Sequence, residues 1–204
     1  VAALEFAIIM PILVLFMLAG AEAARFIYMS RSITNLAYSL ATRVAERTTA
    51  YNFNDAVFDY YSTVVTTPFL LGDSASRGTQ WNFDVALTMS SIIFTPTKAG
   101  CTSNCAYTAK VAWSVNSPIA GQRSCTVPPT AQADTVTTTL TTLPQDIYAA
   151  GSIIVADVVY AYTPIFGSKL IPAVTIRRSY FMQPRYQFPV PYTSSGFDAA
   201  YVCS

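Results

Sequence analysis

Residues 1–21 read VAALEFAIIMPILVLFMLAGA, and Glu5 is the one charged side chain among them. A helix rises about 1.5 Å per residue and a hydrocarbon layer is about 30 Å thick, so roughly 20 such residues cross a bilayer. The segment is too long for an ordinary secretory signal and lacks its basic front. The sequence starts with Val rather than Met, as expected where an upstream stretch is removed or left out.

A carboxylate deep in an apolar helix costs about 2.5–3.5 kcal/mol on the lenient insertion scale, so it usually has a task and a partner. Glu5 has two outlets. It lies in the first turn, where the positive end of the helix dipole favours an acid, and about 6 Å of rise leaves it within reach of headgroups. If Val1 is a true terminus, its ammonium is also one turn away, and in a stack of such helices Glu5 of one copy would neutralise Val1 of the next. Pro11 removes one backbone hydrogen bond and clashes with the carbonyl four residues back, which kinks or loosens the helix. Neighbouring helices or lipid tolerate such a break.

Downstream of the apolar run, Phe26, Met29, Ile33, Leu36, Leu40 and Val44 recur at three- and four-residue steps. That stripe predicts a helix continuing to about Arg47, with Arg25, Arg31, Arg43 and Arg47 on other faces. A helix of about 47 residues is about 70 Å long. Its first part is apolar all round and its second part amphipathic, which suits an anchor followed by a spine for a sheet. The expected fold class is therefore α+β. A helix over 1–48 packs its C-terminal half on an antiparallel β-rich domain over 49–204.

Within that domain, Asn54–Leu71 is predicted as a short helix capped by Asn52 or Asn54 and stopped near Pro68. GDSASRGT, residues 72–79, is predicted as a turn or loop. Trp81–Thr95, Ala106–Val115, Ser152–Thr163 and Ala173–Gln183 are predicted strands, the last two joined by TPIFGSKLIP. Thr135–Thr142 is either an edge strand or an exposed threonine tract. The closing FPVPYTSSGFDAAYVCS is expected on the surface until Cys203 ties it down.

Of 204 residues, 52% are hydrophobic and 11% charged, against about 25% charged in an average soluble domain. The net charge of +1 and the lack of any Lys/Arg run argue against a nucleic-acid partner. Histidine is absent, which removes the commonest general base and metal ligand. No phosphate loop, nucleophile elbow, HExxH, EF-hand loop or CxxC pair is present, so no catalytic residue, metal or cofactor is expected. Asp55 and Asp59, one helical turn apart, read as a solvated helix face rather than paired catalytic carboxylates.

The four cysteines Cys101, Cys105, Cys125 and Cys203 allow three pairings. The short, turn-rich CTSNC loop favours Cys101–Cys105 together with Cys125–Cys203. A zinc site fits the spacing poorly.

A Glu at position five, Phe6 after it and then an apolar helix resemble the mature start of type IV pilins. The run EFAIIMPILVLFMLAG (5–20) with Pro11, continued by AEAARFIYMSRSITNLAYSLATRVAER (21–47), is similar to the TadE-like pilins and pseudopilins of tight-adherence (Tad) pili. VVYAYTPIFGSKLIPAVTIRRSYFMQPR (158–185) resembles the closing strand pair of that family. The resemblance implies leader cleavage by a prepilin peptidase and assembly through Val1, Glu5, Phe6 and Pro11. It implies the inner-membrane assembly machinery and copies of the same chain as partners, and a path from the inner membrane to an extracellular pilus. The four arginines after the apolar run would read as cytoplasmic by the positive-inside rule. In pilins the removed leader supplies the cytoplasmic charge, so this resemblance places the domain on the outer side, as the cysteines also do. Three readings stay open: the pilus subunit, a minor pseudopilin that primes or tips the pilus, and a single-pass envelope protein with a ligand-binding outer domain.

Overall fold

The computed structural model describes residues 2–65, 67–166, 172–194 and 201–203, with the side chains of residues 2–5, 63 and 64 outside that description. Helix α1 runs over Ala2–Ala45 with Pro11 inside it, so it is about 66 Å long. It stops two residues short of the predicted Arg47, just ahead of the β-branched pair Thr48-Thr49. Helix α2 spans Phe53–Val65 and α3 spans Pro68–Ser76. The strands are β1 (Val85–Pro96), β2 (Tyr107–Asn116), β3 (Thr130–Gln132), β4 (Thr142–Pro144), β5 (Gly151–Tyr162) and β6 (Val174–Met182).

Strands β2-β1-β5-β6 form a four-stranded sheet in that order, every pair antiparallel. Side chains alternate across a strand, so β5 sends Ile154, Ala156, Val158 and Tyr160 to one face and Ile153, Val155 and Asp157 to the other. The first face meets α1. Met29, Ile33, Leu36, Leu40 and Val44 are fully or almost fully buried in one cluster with Val158, Tyr160 and Ile176. That is the predicted stripe, and the fold is the expected α+β arrangement. A bulge between Ser91 and Ile92 shifts the β1–β2 register. Trp113 and Val115 therefore join the helix-side core, whereas Ala109 joins Ile92, Phe94, Val155 and Leu143 on the far side.

The far face is covered by the segment between β2 and β5, which holds the short parallel pair β3–β4. Its anchor is Arg123, which is 0% exposed. The guanidinium donates to Asp157 through Nε at 3.0 Å and Nη2 at 2.8 Å, and to the carbonyl of Leu140 at 3.1 Å. Burial raises the Asp157 carboxyl above its ordinary value, while Arg123 and the Ser179 hydroxyl pull it back. The Thr135–Thr142 tract forms no strand of its own apart from Thr142 in β4, and Thr135, Val136 and Thr137 are exposed.

Four expectations need correction. The single helix over 54–71 is two helices: Asn52 does cap α2, its side-chain oxygen accepting from the Asp55 amide at 3.0 Å. Helix α2 does end near Pro68, at Val65, and Pro68 then starts α3 at a position where its missing N–H costs nothing. That helix runs on into the predicted 72–79 loop. Strand β1 starts at Val85, four residues after Trp81, because Trp81–Phe83 form a 3-10 turn. Finally, the tail is anchored well before Cys203. Val190 is fully buried, its carbonyl accepts the Trp113 indole N–H at 2.8 Å, and Tyr51 trades backbone bonds with Pro191 and Thr193.

The structure joins Cys101 to Cys105 and Cys125 to Cys203, with Cα atoms 5.8 and 5.1 Å apart. The closed segments differ, with separations of 4 and 78 residues. In the chain-entropy model, replacing Cys125 and Cys203 by Ser costs about 4–5 kcal/mol and replacing Cys101 and Cys105 costs roughly 2. Chemical denaturation of the two double variants is expected to show the larger loss in the first; equal midpoints would contradict that ranking.

Candidate functional site

The apolar stem and its junction with the domain are the features that set this chain apart from an ordinary α+β domain. From Phe6 to Met17 the large side chains of α1 face outward on all sides, with Phe6 64%, Leu15 67% and Phe16 72% exposed. The helix is long and apolar enough to cross a membrane. Val1 and the Glu5 side chain lie outside the described residues, so the proposed Val1–Glu5 neutralisation has no geometry here. Phe6 stands exposed, and Pro11 sits within a helix that continues past it on both sides.

Glu22 and Arg25 are the first charged residues after the apolar run, and both are almost covered, with side chains 13% and 12% exposed. Glu22 Oε1 accepts from Arg25 at 3.1 Å and from the Tyr162 hydroxyl. Its Oε2 accepts the backbone N–H groups of Ile165 and Phe166 at 3.2 and 3.3 Å. Arg25 also donates to the Thr163 carbonyl at 3.2 Å and to Asp73, and lies 5.0 Å from the centre of the Tyr162 ring. Asp73, on α3, is further held by Arg77 at 2.9 Å and by the Tyr160 hydroxyl. Arg77 then reaches Asp84 at 2.9 Å, just ahead of β1. One chain of charges thus ties α1, α3, β1 and β5 at the base of the domain.

Burial alone would lift the Asp73 carboxyl, but the bonds from Tyr160, Arg25 and Arg77 outweigh it and hold the group below its ordinary 3.8. Tyr162 moves the other way, pushed up to about 12 by burial and by its bond to Glu22.

A second charged group closes the top of the helix. Asp59, expected on a solvated face, is 2% exposed. Arg43 and Arg47 approach it at 3.7 and 3.5 Å, and the Tyr51 hydroxyl donates to it at 3.2 Å. Asp55 pairs with Arg47 at 3.0 Å. The two acids therefore belong to an ion-pair network between α1 and α2. Burial raises Asp59, against the pull of Arg47, Tyr51 and Arg43. The sequence pattern held half of this, since basic residues on α1 and acidic residues on α2 were both visible; the register that brings them together was not.

Among the described residues, no group of three or more His, Cys, Asp or Glu could hold a metal ion. The arrangement ties the base of the apolar stem to α3, to β5 and to the chain just ahead of β1.

The folded-state Asp73 sits below its unfolded value, so its stabilising share is complete above about pH 3.8 and is lost as pH falls through the lower folded-state value. Asp73→Asn is expected to cost about 1.5–3 kcal/mol at neutral pH, because it removes the charge that Arg25 and Arg77 share and leaves them with Glu22 and Asp84 alone. The gap between wild type and variant should narrow as the pH is lowered; thermal unfolding followed by circular dichroism reads both effects, and a pH-independent gap would refute them.

No curated protein and no solved structure matches the chain. Residues 1–42 match the family model described as TadE-like protein, which covers the stem, both residues Glu22 and Arg25, and most of the helical spine. The similarity to the TadE-like family thus lies in the N-terminal helix.

Proposed function

We propose that this chain is a non-catalytic structural subunit of a Tad-type pilus. It would wait in the inner membrane as a single-pass anchor and then polymerise through its N-terminal helix into an extracellular filament. The observation that carries this reading is the division of α1. From Met29 to Ala45 one side is sealed against the sheet, whereas from Phe6 to Met17 no side is covered. Fully burying one large apolar side chain is worth about 1.5–3 kcal/mol, so a bare stretch of this kind requires lipid or other helices around it. A bundle of stems from identical subunits supplies that cover outside the membrane. Within it, Glu5 of one copy meets the Val1 ammonium of the next, and Phe6 and Pro11 lie in the packed zone. The partners are then copies of the chain, the inner-membrane assembly machinery and a prepilin peptidase, as expected of a TadE-like subunit.

The TadE-like match also favours a second reading, in which the chain is a minor pseudopilin that primes or tips a pilus built from another subunit. Abundance separates the two: a major subunit dominates the mass of purified filaments, and a minor one is present in trace.

Glu5→Ala is expected to leave the amount of membrane-inserted chain unchanged while cutting filament yield at least about ten-fold, as loss of a counter-charge worth upwards of 1.4 kcal/mol per contact would. Electron microscopy of sheared filaments together with quantitative mass spectrometry checks this. Normal filament number with the variant present in them would overturn the pilin reading in both its forms.

A further inference from the structure

The connection between β5 and β6 carries a feature that the pilus reading does not use. Pro164, Ile165 and Phe166 leave the sheet beside the last turn of the apolar run, and Ile165 and Phe166 are 55% and 44% exposed. Val174, where the chain re-enters β6, is 41% exposed. Ile165 and Phe166 thus form an apolar tip just past the end of β5, next to a membrane-length helix.

The tip is held at a fixed height. Both amides at its turn bond to the Glu22 carboxylate, the first charge after the apolar run. Beside that bond an open apolar notch of about 520 Å³ runs along the helix from Leu15 past Glu22 to Phe26, faced by Tyr162, Pro164, Phe166 and Val174 of the domain. Leu15 is seven residues before Glu22, so the notch reaches roughly 10 Å down the stem, a depth typical of the boundary between headgroups and acyl chains. The backbone N–H groups that a loop would leave unmet in hydrocarbon are the ones that Glu22 accepts, and the carboxylate itself is met by Tyr162 and Arg25. The site is thus apolar where it faces downward and satisfied where it is polar.

We propose that the tip at Ile165 and Phe166 is a second membrane contact, which dips into the leaflet nearer the domain while an acyl chain fills the notch beside Leu15 and Ala19. It rests on the reading that the stem spans a bilayer before assembly. Lipid is the occupant rather than a second copy, because the notch opens onto the same stretch of stem that the bilayer surrounds in a lone subunit. The stem and the tip then make two points of attachment. A single helix can spin and tilt in a membrane; two points fix how the domain is presented to the next subunit.

The test uses the full chain in phosphatidylcholine vesicles with acyl chains brominated just below the glycerol. Phe166→Trp adds one indole at the tip, Leu15→Trp one on the stem, and Val136→Trp one on an exposed loop of the far layer. Emission is compared with that of the wild type, whose own indoles are Trp81 and Trp113. The emission added at Phe166 is expected to fall by roughly half, as for a ring seated about 5–10 Å into the interface, and that added at Val136 to be unchanged. If Leu15→Trp is quenched and Phe166→Trp behaves like Val136→Trp, the tip contact is wrong and the spanning stem stands. If neither is quenched, the spanning reading fails and takes the proposal with it. If tip quenching is absent at a low lipid-to-protein ratio and appears only as that ratio rises, a second copy displaces lipid from the notch, and the lipid assignment is overturned.

Discussion

A single helix passing through two environments is the constraint on which this structure depends. Half of α1 must be covered by something that the chain does not itself supply, and the other half must be covered by the chain's own sheet. The apolar stripe from Met29 to Val44 meets β5 and β6 because those strands carry Val158, Tyr160 and Ile176 on one face. Strand β5 is buried on both sides, so it acts as the keel between the helix layer and the segment that Arg123 anchors.

Charge is used sparingly, and its buried part lies at seams. With 11% charged residues, the chain has few to spend, and many of them lie in three groups: Glu22–Arg25–Asp73–Arg77–Asp84 at the base, Arg43–Arg47–Asp55–Asp59 at the far end of the helix, and Arg123–Asp157 behind the sheet. Buried pairs of this kind add little net stability over apolar packing but cost several kcal/mol when one partner is lost. Their effect here is to fix register. The two outer groups pin α1 at both ends of its buried stretch, so it can neither slide along the sheet nor roll upon it.

The helix, its division into bare and covered parts, and the four main strands were legible in the sequence, because each rests on a local period that side-chain burial obeys. Pro68 was read only as a stop, whereas one helix ends near it and the next begins on it, and only the fold shows the second. Asp59 was misread because spacing along α2 reports nothing of the arginines that α1 brings to it. Val190 was hidden among prolines that usually mark surface, yet the Trp113 indole needed an acceptor and took its carbonyl. The base network was the least visible of all, since Glu22 meets Tyr162, Ile165 and Phe166 across some 140 residues of chain. Long-range polar contacts leave no periodic trace.

The late segment that crosses the top of α1 has a kinetic meaning. Arg185 donates its amide to the Ala45 carbonyl, the Gln187 side chain bonds the Thr48 carbonyl 139 residues away, and Thr193 closes on Tyr51. Contacts so distant in sequence form only after much chain entropy has been lost, and they cannot form before residues 185–193 have emerged from the ribosome or translocon. Until then the helix end has no lid, and Tyr51 and Trp113 have no ceiling. The stem is the first part of this sequence to be made, but its grip on the domain is among the last to set. A subunit whose synthesis stops early therefore carries a competent anchor beneath a head that hangs loose.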